Sequence, residues 1–236
     1  IIGICTGSFK PHNSVYSRKL SRSARQHKTA MHLITSENRS MPEYLDFILR
    51  LTTFCIIHSL LAAPRVKRWI MQLRGRYMPG YRLGYNLVAM ALFGWVMLAW
   101  QSTTVLFVAP GIWSLVLYGL QLAILWLGYK CLRQAGMADF LGTNFPPADH
   151  QPAFTQRGCY GIVRHPLYLL GTLFLLLNPV ITTRWIVLAL VSILYFMFGA
   201  LIEERRMVKA LGKRYQRYQQ EVPFIIPRLR RQLSAD

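Results

Sequence analysis

Arg164-His165-Pro166-Leu167-Tyr168, with Tyr160 just upstream, gathers a guanidinium, an imidazole and two phenols where a polar, proline-containing loop turns into a long apolar run. Polar groups at the edge of hydrocarbon are functional or carefully paired as a rule. Pro166 suits the first turn of the helix that Leu167 opens. A helix start offers free backbone N–H groups and a positive dipole end, which favour a carboxylate or phosphate. Tyr160 and Tyr168 bracket it with rings able to stack on a base or face a cation. An interfacial belt of Tyr, His and Arg is the plainer account of the same residues.

Glu203-Glu204 adds the opposite charge. The chain has nine acidic residues, and two stand side by side at the end of the last apolar run. Pairing with Arg205 or Arg206 explains one of them. The second invites a cationic ligand or a tuned acid–base role. A cofactor carrying an amine, a carboxylate, an adenine and a sulfonium would engage every one of these groups. No metal-ligand spacing is present. Cys5, Cys55, Cys131 and Cys159 are scattered without a C-x-x-C pair, which indicates neither a zinc site nor a disulfide framework. Cys55 reads as packing within an apolar run. Cys159 lies beside the motif, open to thiol reagents but without a neighbouring base.

The elements that must position these groups read as membrane helices. Of 236 residues 53% are hydrophobic, a composition that points to a polytopic membrane protein rather than a soluble pair of domains. The +19 net charge does not imply nucleic acid, because the basic residues cluster just outside apolar runs. Five spans are predicted: 44–63, 83–100, 112–129, 167–181 and 185–202. Val105 to Ala109 is a short apolar piece ended by Pro110-Gly111. The fourth and fifth spans form a tight helical hairpin around Thr182-Thr183-Arg184, although the fourth is short for the ~30 Å hydrocarbon core and is broken by Asn178-Pro179. The expectation is thus an all-α, polytopic membrane fold with about five transmembrane helices, a C-terminal helical hairpin and cytoplasmic cofactor-binding loops. An amphipathic surface helix with Tyr215 and Tyr218 on one face suits the basic tail.

Lys and Arg number six in 64–82, four in 130–166 and nine in 205–236, while the connections on the other side hold Arg184 alone. Positive charge stays inside, which places the long loops, the tail and the site on the cytoplasmic side of a bacterial inner membrane. Residues 1–40 are basic, without apolar periodicity, and are expected to be a disordered extension; the functional domain is expected to start at Met41 and run to 236.

Gly158-x-Tyr160-x-x-x-Arg164-His165-Pro166-x-Tyr168, Glu203-Glu204, Leu211-Gly212-x-x-Tyr215-x-x-Tyr218 and Val222-Pro223-x-x-x-Pro227 together resemble the isoprenylcysteine carboxyl methyltransferase superfamily, which includes bacterial phospholipid methyltransferases. The resemblance covers about residues 152–228. It implies an enzyme that takes S-adenosylmethionine from the cytosol and a small or lipidic acceptor, a thiol, amine or carboxylate, from the bilayer. His58-Ser59-x-x-Ala62-x-Pro64-x-x-Lys67-Arg68-Trp69, followed by Tyr81-Arg82-x-x-Tyr85-Asn86, is similar to methanethiol S-methyltransferase-type and NnrU-like membrane proteins. His58 by itself reads as a helix-packing histidine.

Carried over by the resemblance, Tyr160, His165, Pro166, Leu167, Tyr168 and Glu203 are candidate cofactor contacts, with Glu203 on the cofactor's amino acid part. Arg164, His165 and Glu204 are the candidate catalytic residues, and a register error of one would exchange the two glutamates. Pro152 to Thr155 fall on another cofactor strip of the family but lack its histidine. Gly199 stands where the isoprenylcysteine enzymes have a substrate-contacting arginine, which argues against a prenylcysteine carboxylate. Methyl transfer needs alignment, desolvation and at most one base, not a metal. Two other classes remain open: an NADPH-dependent membrane reductase, whose helical architecture in the sterol reductases is similar, and a non-enzymatic accessory protein, as the NnrU-like resemblance implies.

Overall fold

The computed structural model of the chain describes residues 44–73, 80–99, 103–144 and 154–228. The chain divides into two compact units, residues 1–46 and 47–236, and every contact given below lies within the second. The extension expected over 1–40 falls outside the described residues.

Helices dominate. They are α1 (Tyr44–Ala62), α2 (Pro64–Leu73), α3 (Tyr81–Leu98), α4 (Ile112–Ala135), α5 (Met137–Leu141), α6 (Cys159–Ile162), α7 (Pro166–Leu176), α8 (Thr183–Leu211) and α9 (Lys213–Glu221). Among the described residues three of these, α1, α4 and α8, are long and apolar enough to cross a membrane. α4 and α8 carry exposed Trp113, Leu122, Leu190 and Phe198, which suits lipid as the surrounding solvent.

Several expectations are corrected. The short apolar piece at 105–109 forms strand β1 (Val105–Val108), antiparallel to β2 (Val180–Thr182), so the fold is mostly helical rather than all-α. A short apolar run cannot distinguish a strand from a helix by periodicity. Consequently the fourth predicted span does not continue to Ile181. Its helix, α7, has 11 residues, a rise of roughly 16 Å at 1.5 Å per residue, and β2 intervenes before α8. The hairpin connection is therefore longer than Thr182-Thr183-Arg184. Thr182 accepts from the Trp185 amide at 3.1 Å and so starts α8. At the other end α8 runs past the acidic pair to Leu211, so Glu203-Glu204 lies inside a helix. Likewise α2 occupies much of the basic loop expected over 64–82, and α4 continues five residues beyond Lys130.

Local chemistry fixes the joints nearest the site. Gly142 ends α5 in the left-handed region at φ 78, with the backbone of Arg82 and Leu83 so close that a Cβ there would collide. Asn86 on α3 donates to the Phe140 and Leu141 carbonyls at 3.0 and 2.9 Å, satisfying acceptors that the end of α5 leaves open. A buried cluster of Phe47, Leu51, Val96, Ala99 and Leu188 joins α1, α3 and α8. Arg184, 1% exposed, donates to the Ala99 carbonyl at its edge.

Cys131 on α4 and Cys159 on α6 form a disulfide. The sequence reading indicated no disulfide framework, because 28 residues separate the partners and no short motif announces them. Cys55 remains free.

Candidate functional site

Three short elements bring the motif residues together. The disulfide ties α6 to the end of α4, and Gln134 accepts from the Cys159 amide at 3.0 Å. Gly158 precedes α6 at φ 61, pressed on the Gln134 side chain, where a larger residue would clash. From there Val163 is extended, and the chain pairs with the tail: the Arg164 amide donates to the Pro223 carbonyl at 2.9 Å and the His165 amide to Phe224 at 3.2 Å. Pro166 then opens α7. α9 is strapped across the same place, since Tyr218 donates to the Tyr160 carbonyl at 2.6 Å. Arg164 Nη1 donates to the carbonyls of Gln219 and Val222 at 2.7 and 3.2 Å, covering acceptors at the end of α9.

The two glutamates have unlike surroundings. Glu204 is buried, and Tyr215 donates to its Oε1 at 2.9 Å while Gln219 donates to its Oε2. The same Oε1 lies 2.9 Å from His165 Nε2 and 3.0 Å from Arg164 Nε. Both oxygens are thus engaged within the chain, an arrangement that makes the burial of a carboxylate tolerable. Glu203, one residue earlier, has a side chain 53% exposed. Its Oε2 accepts from the Tyr168 hydroxyl at 3.4 Å and lies 3.9 Å from His165 Nδ1. The imidazole, 6% exposed, therefore sits between the two acids. Successive residues on a helix point about 100° apart, so one carboxylate of the pair meets α9 while the other meets Tyr168.

Aromatic rings line the remaining side. His165 stacks on Tyr168 with centroids 5.6 Å apart, and Tyr168 stacks in turn on Phe196 at 5.6 Å. Phe224 meets His165 edge-on at 5.1 Å. Behind α9, Phe154 packs against Tyr215 and Tyr218. Burial, and secondarily the Glu203 charge, push the Tyr160 phenol up to about 12, so it remains a neutral donor at physiological pH. Burial and the Glu204 hydrogen bond push the Tyr215 phenol up as well. Tyr160, Arg164, His165, Pro166, Tyr168, Glu203 and Glu204 thus fall in one region, and Leu167 belongs to the first turn of α7. Gly199, one turn before Glu203, leaves a space against which the Tyr168 hydroxyl rests, 3.5 Å from where a Cβ would stand. Pro152 lies outside the described residues.

Gln219 and Phe224 were not singled out from sequence. Their signal was available: Gln219 stands at i+4 from Tyr215 on one helix face, and Phe224 falls inside the quoted Val222-Pro223 motif. Among the described residues no group of three or more His, Cys, Asp or Glu side chains is placed to hold a metal ion. The arrangement offers an accessible carboxylate for a cation, a helix start whose amides no side chain caps, and flat rings nearby.

Residues 110–214 match the family model for phospholipid methyltransferases. A methanethiol S-methyltransferase of a Pseudomonas species is 30% identical over 202 residues, covering 78% of this chain and 73% of the relative. The protein of the same name from Pseudomonas deceptionensis is 28% identical, covering 78% and 72%. Methanethiol S-methyltransferase 2 of Bradyrhizobium diazoefficiens is 30% identical, covering 77% and 72%. No solved structure matches the chain.

Proposed function

The chain belongs to the phospholipid methyltransferase family, within the isoprenylcysteine carboxyl methyltransferase superfamily, and from that premise we propose that it is an integral-membrane enzyme methylating a small thiol with S-adenosylmethionine as donor. One observation carries the reading. Of the adjacent acids, Glu204 is consumed as an internal anchor, while Glu203 keeps an accessible carboxylate flanked by Tyr168 and His165.

The residues present fit the donor. Glu203 would hold its ammonium group. The uncapped amides of Leu167 and Tyr168 at the start of α7, with the nearby Arg164 charge, would hold its carboxylate. Tyr160 and Tyr168 would face its ring or its cationic sulfur. When bound, the sulfonium supplies an electrophilic methyl group. His165, fixed by Glu204, orients Tyr168 and thereby the Glu203 carboxylate. Glu204 and Arg164 act through that geometry rather than on the reacting atoms.

The thiol acceptor is inferred from the names of the relatives. Gly199 fits this reading, because the Tyr168 hydroxyl packs against bare backbone where the isoprenylcysteine enzymes carry a substrate-contacting arginine. The five-crossing topology belongs to this reading too. α3 adds a crossing to α1, α4 and α8, and α7 with the 177–182 segment that follows it completes the fifth. The charge asymmetry supports a site at the cytoplasmic face of a bacterial inner membrane.

Calorimetric titration of the detergent-solubilised protein with S-adenosylmethionine tests the proposal. Saturable binding that Glu203→Gln weakens is expected. A folded protein that binds NADPH, or neither compound, overturns it.

A further inference from the structure

A second polar cluster lies outside the donor-binding residues. The Tyr85 hydroxyl on α3 sits 2.7 Å from His58 Nε2 on α1, and the rings are 5.0 Å apart between centroids. Ser59 Oγ lies 2.9 Å from the Tyr195 hydroxyl on α8, and Tyr195 meets His58 edge-on at 5.8 Å. One phenol, Tyr85, is hydrogen-bonded to the imidazole, and a second polar pair from two further helix positions, Ser59 and Tyr195, stands beside it with the Tyr195 ring edge-on to His58.

Its position relative to the site follows from α8. Tyr195, Gly199 and Glu203 stand at i, i+4 and i+8, one stripe of that helix. The Tyr168 hydroxyl rests against Gly199 and donates to Glu203. It is also within electrostatic range of Tyr195 and Tyr85. The cluster thus begins about one helical turn, ~5.4 Å, beyond the Gly199 space. From the other direction an apolar groove of about 450 Å³ between α1 and α8, lined by Leu51, Cys55, Val187 and Val191, ends on Ser59. Its walls suit a small neutral thiol arriving from the lipid.

Deepening the methyl-transfer reading on which it rests, we propose that Tyr85 and His58 form the acceptor-side proton relay of the enzyme. A thiol attacks as its thiolate. In the relay the S–H bond breaks and leaves its electron pair on sulfur. The proton passes to the Tyr85 oxygen as the Tyr85 proton moves to His58 Nε2. The sulfur pair then forms the new C–S bond, the donor's C–S bond breaks with its pair retained on the donor sulfur, and His58 later returns the proton to water. The Tyr195 ring, itself fixed by the Ser59 hydroxyl, packs edge-on against the imidazole. The other titratable groups around the pair are Tyr81 and Arg82 on α3, Cys55 on α1 and Tyr168 on α7. None stands closer to the imidazole than Tyr85 among the described contacts.

The test uses the full chain in detergent and its His58→Gln and Tyr85→Phe variants. S-adenosylmethionine affinity, read by calorimetry, should be retained in both variants. Methyl transfer to methanethiol near neutral pH should fall roughly 100-fold or more, the usual contribution of a positioned acid–base group. That loss should shrink as pH rises and the thiol ionises by itself. Thiophenol, which ionises readily in water, should be methylated nearly as well by the variants as by the parent protein. Without any methyl donor, thiophenol added in mildly acidic buffer should show a rise in its thiolate absorbance on binding the parent protein, and no rise with either variant. Variants that transfer methyl to methanethiol as the parent does, or lose both acceptors equally, overturn the relay alone. A parent protein that binds no S-adenosylmethionine overturns the methyltransferase reading and the relay with it.

Discussion

His165 Nε2 and Glu204 Oε1 lie 2.9 Å apart, joining the start of α7 to the interior of α8 across 39 residues of sequence. The pair is buried, and Arg164, Tyr215 and Gln219 close around the same carboxylate. Glu204 therefore organises the site from within, while the residue before it faces the accessible side.

Exchanging the two acids for glutamine should separate these roles. Glu204→Gln leaves the part-buried Arg164 without its counter-charge, and breaking a pair of this kind costs up to about 3–5 kcal/mol. The melting temperature of the purified protein should drop by many degrees. Glu203→Gln removes a half-exposed carboxylate and should leave the melting temperature nearly unchanged while S-adenosylmethionine affinity falls about tenfold or more. Equal melting temperatures for the two variants would contradict the anchor role.

Alkaline pH should loosen the α9 strap. Burial pushes the Tyr218 phenol up to about 12 from an ordinary value of 10.0. A raised value in the folded state means that the contribution is complete below 10 and is lost as pH climbs toward 12. Denaturant midpoints should accordingly fall over that window, and Tyr218→Phe should make the fall shallower. A Tyr218→Phe profile parallel to the parent's would exclude this phenol as a source.

Reduction should act on the site through α6. The Cys131–Cys159 bond closes a chain segment of 28 residues, and disulfides of that loop size stabilise by about 2–4 kcal/mol. Dithiothreitol should lower the melting temperature of the parent and leave that of a Cys131→Ser/Cys159→Ser variant unmoved. Mass spectrometry of the alkylated protein reports the bond directly.

Gly158→Ala should weaken the same joint. The glycine adopts φ 61 and abuts Gln134, so alanine adds both backbone strain and a steric clash, together of order 1–3 kcal/mol. Gln134→Ala in the same chain should recover the steric part of the loss, and a double variant no better than Gly158→Ala would show that no clash existed.

The site's main groups were legible in sequence because each is polar in an apolar setting. Arg164, His165 and Tyr168 open one hydrophobic run, and two of only nine acids close another. Which acid is free was not legible. That depends on the rotation of α8 against α9, and neighbouring residues differ only by their angle around the axis. The anchoring hydroxyl of Tyr215 was visible as part of a motif, but its carboxylate partner lies 11 residues back in another helix. The β1–β2 ladder was hidden because Val105–Val108 and Val180–Thr182 are as apolar as the spans beside them. The disulfide was hidden by distance along the chain. His58 read as packing because Tyr85 and Tyr195 reach it only through tertiary contacts.

The clasp on Glu204 comes from Tyr215 and Gln219, downstream of every apolar helix. Until α9 folds back, the carboxylate has neither of its two tail partners, and water can reach it. The last helix thus acts as a latch that completes the surroundings of Glu204.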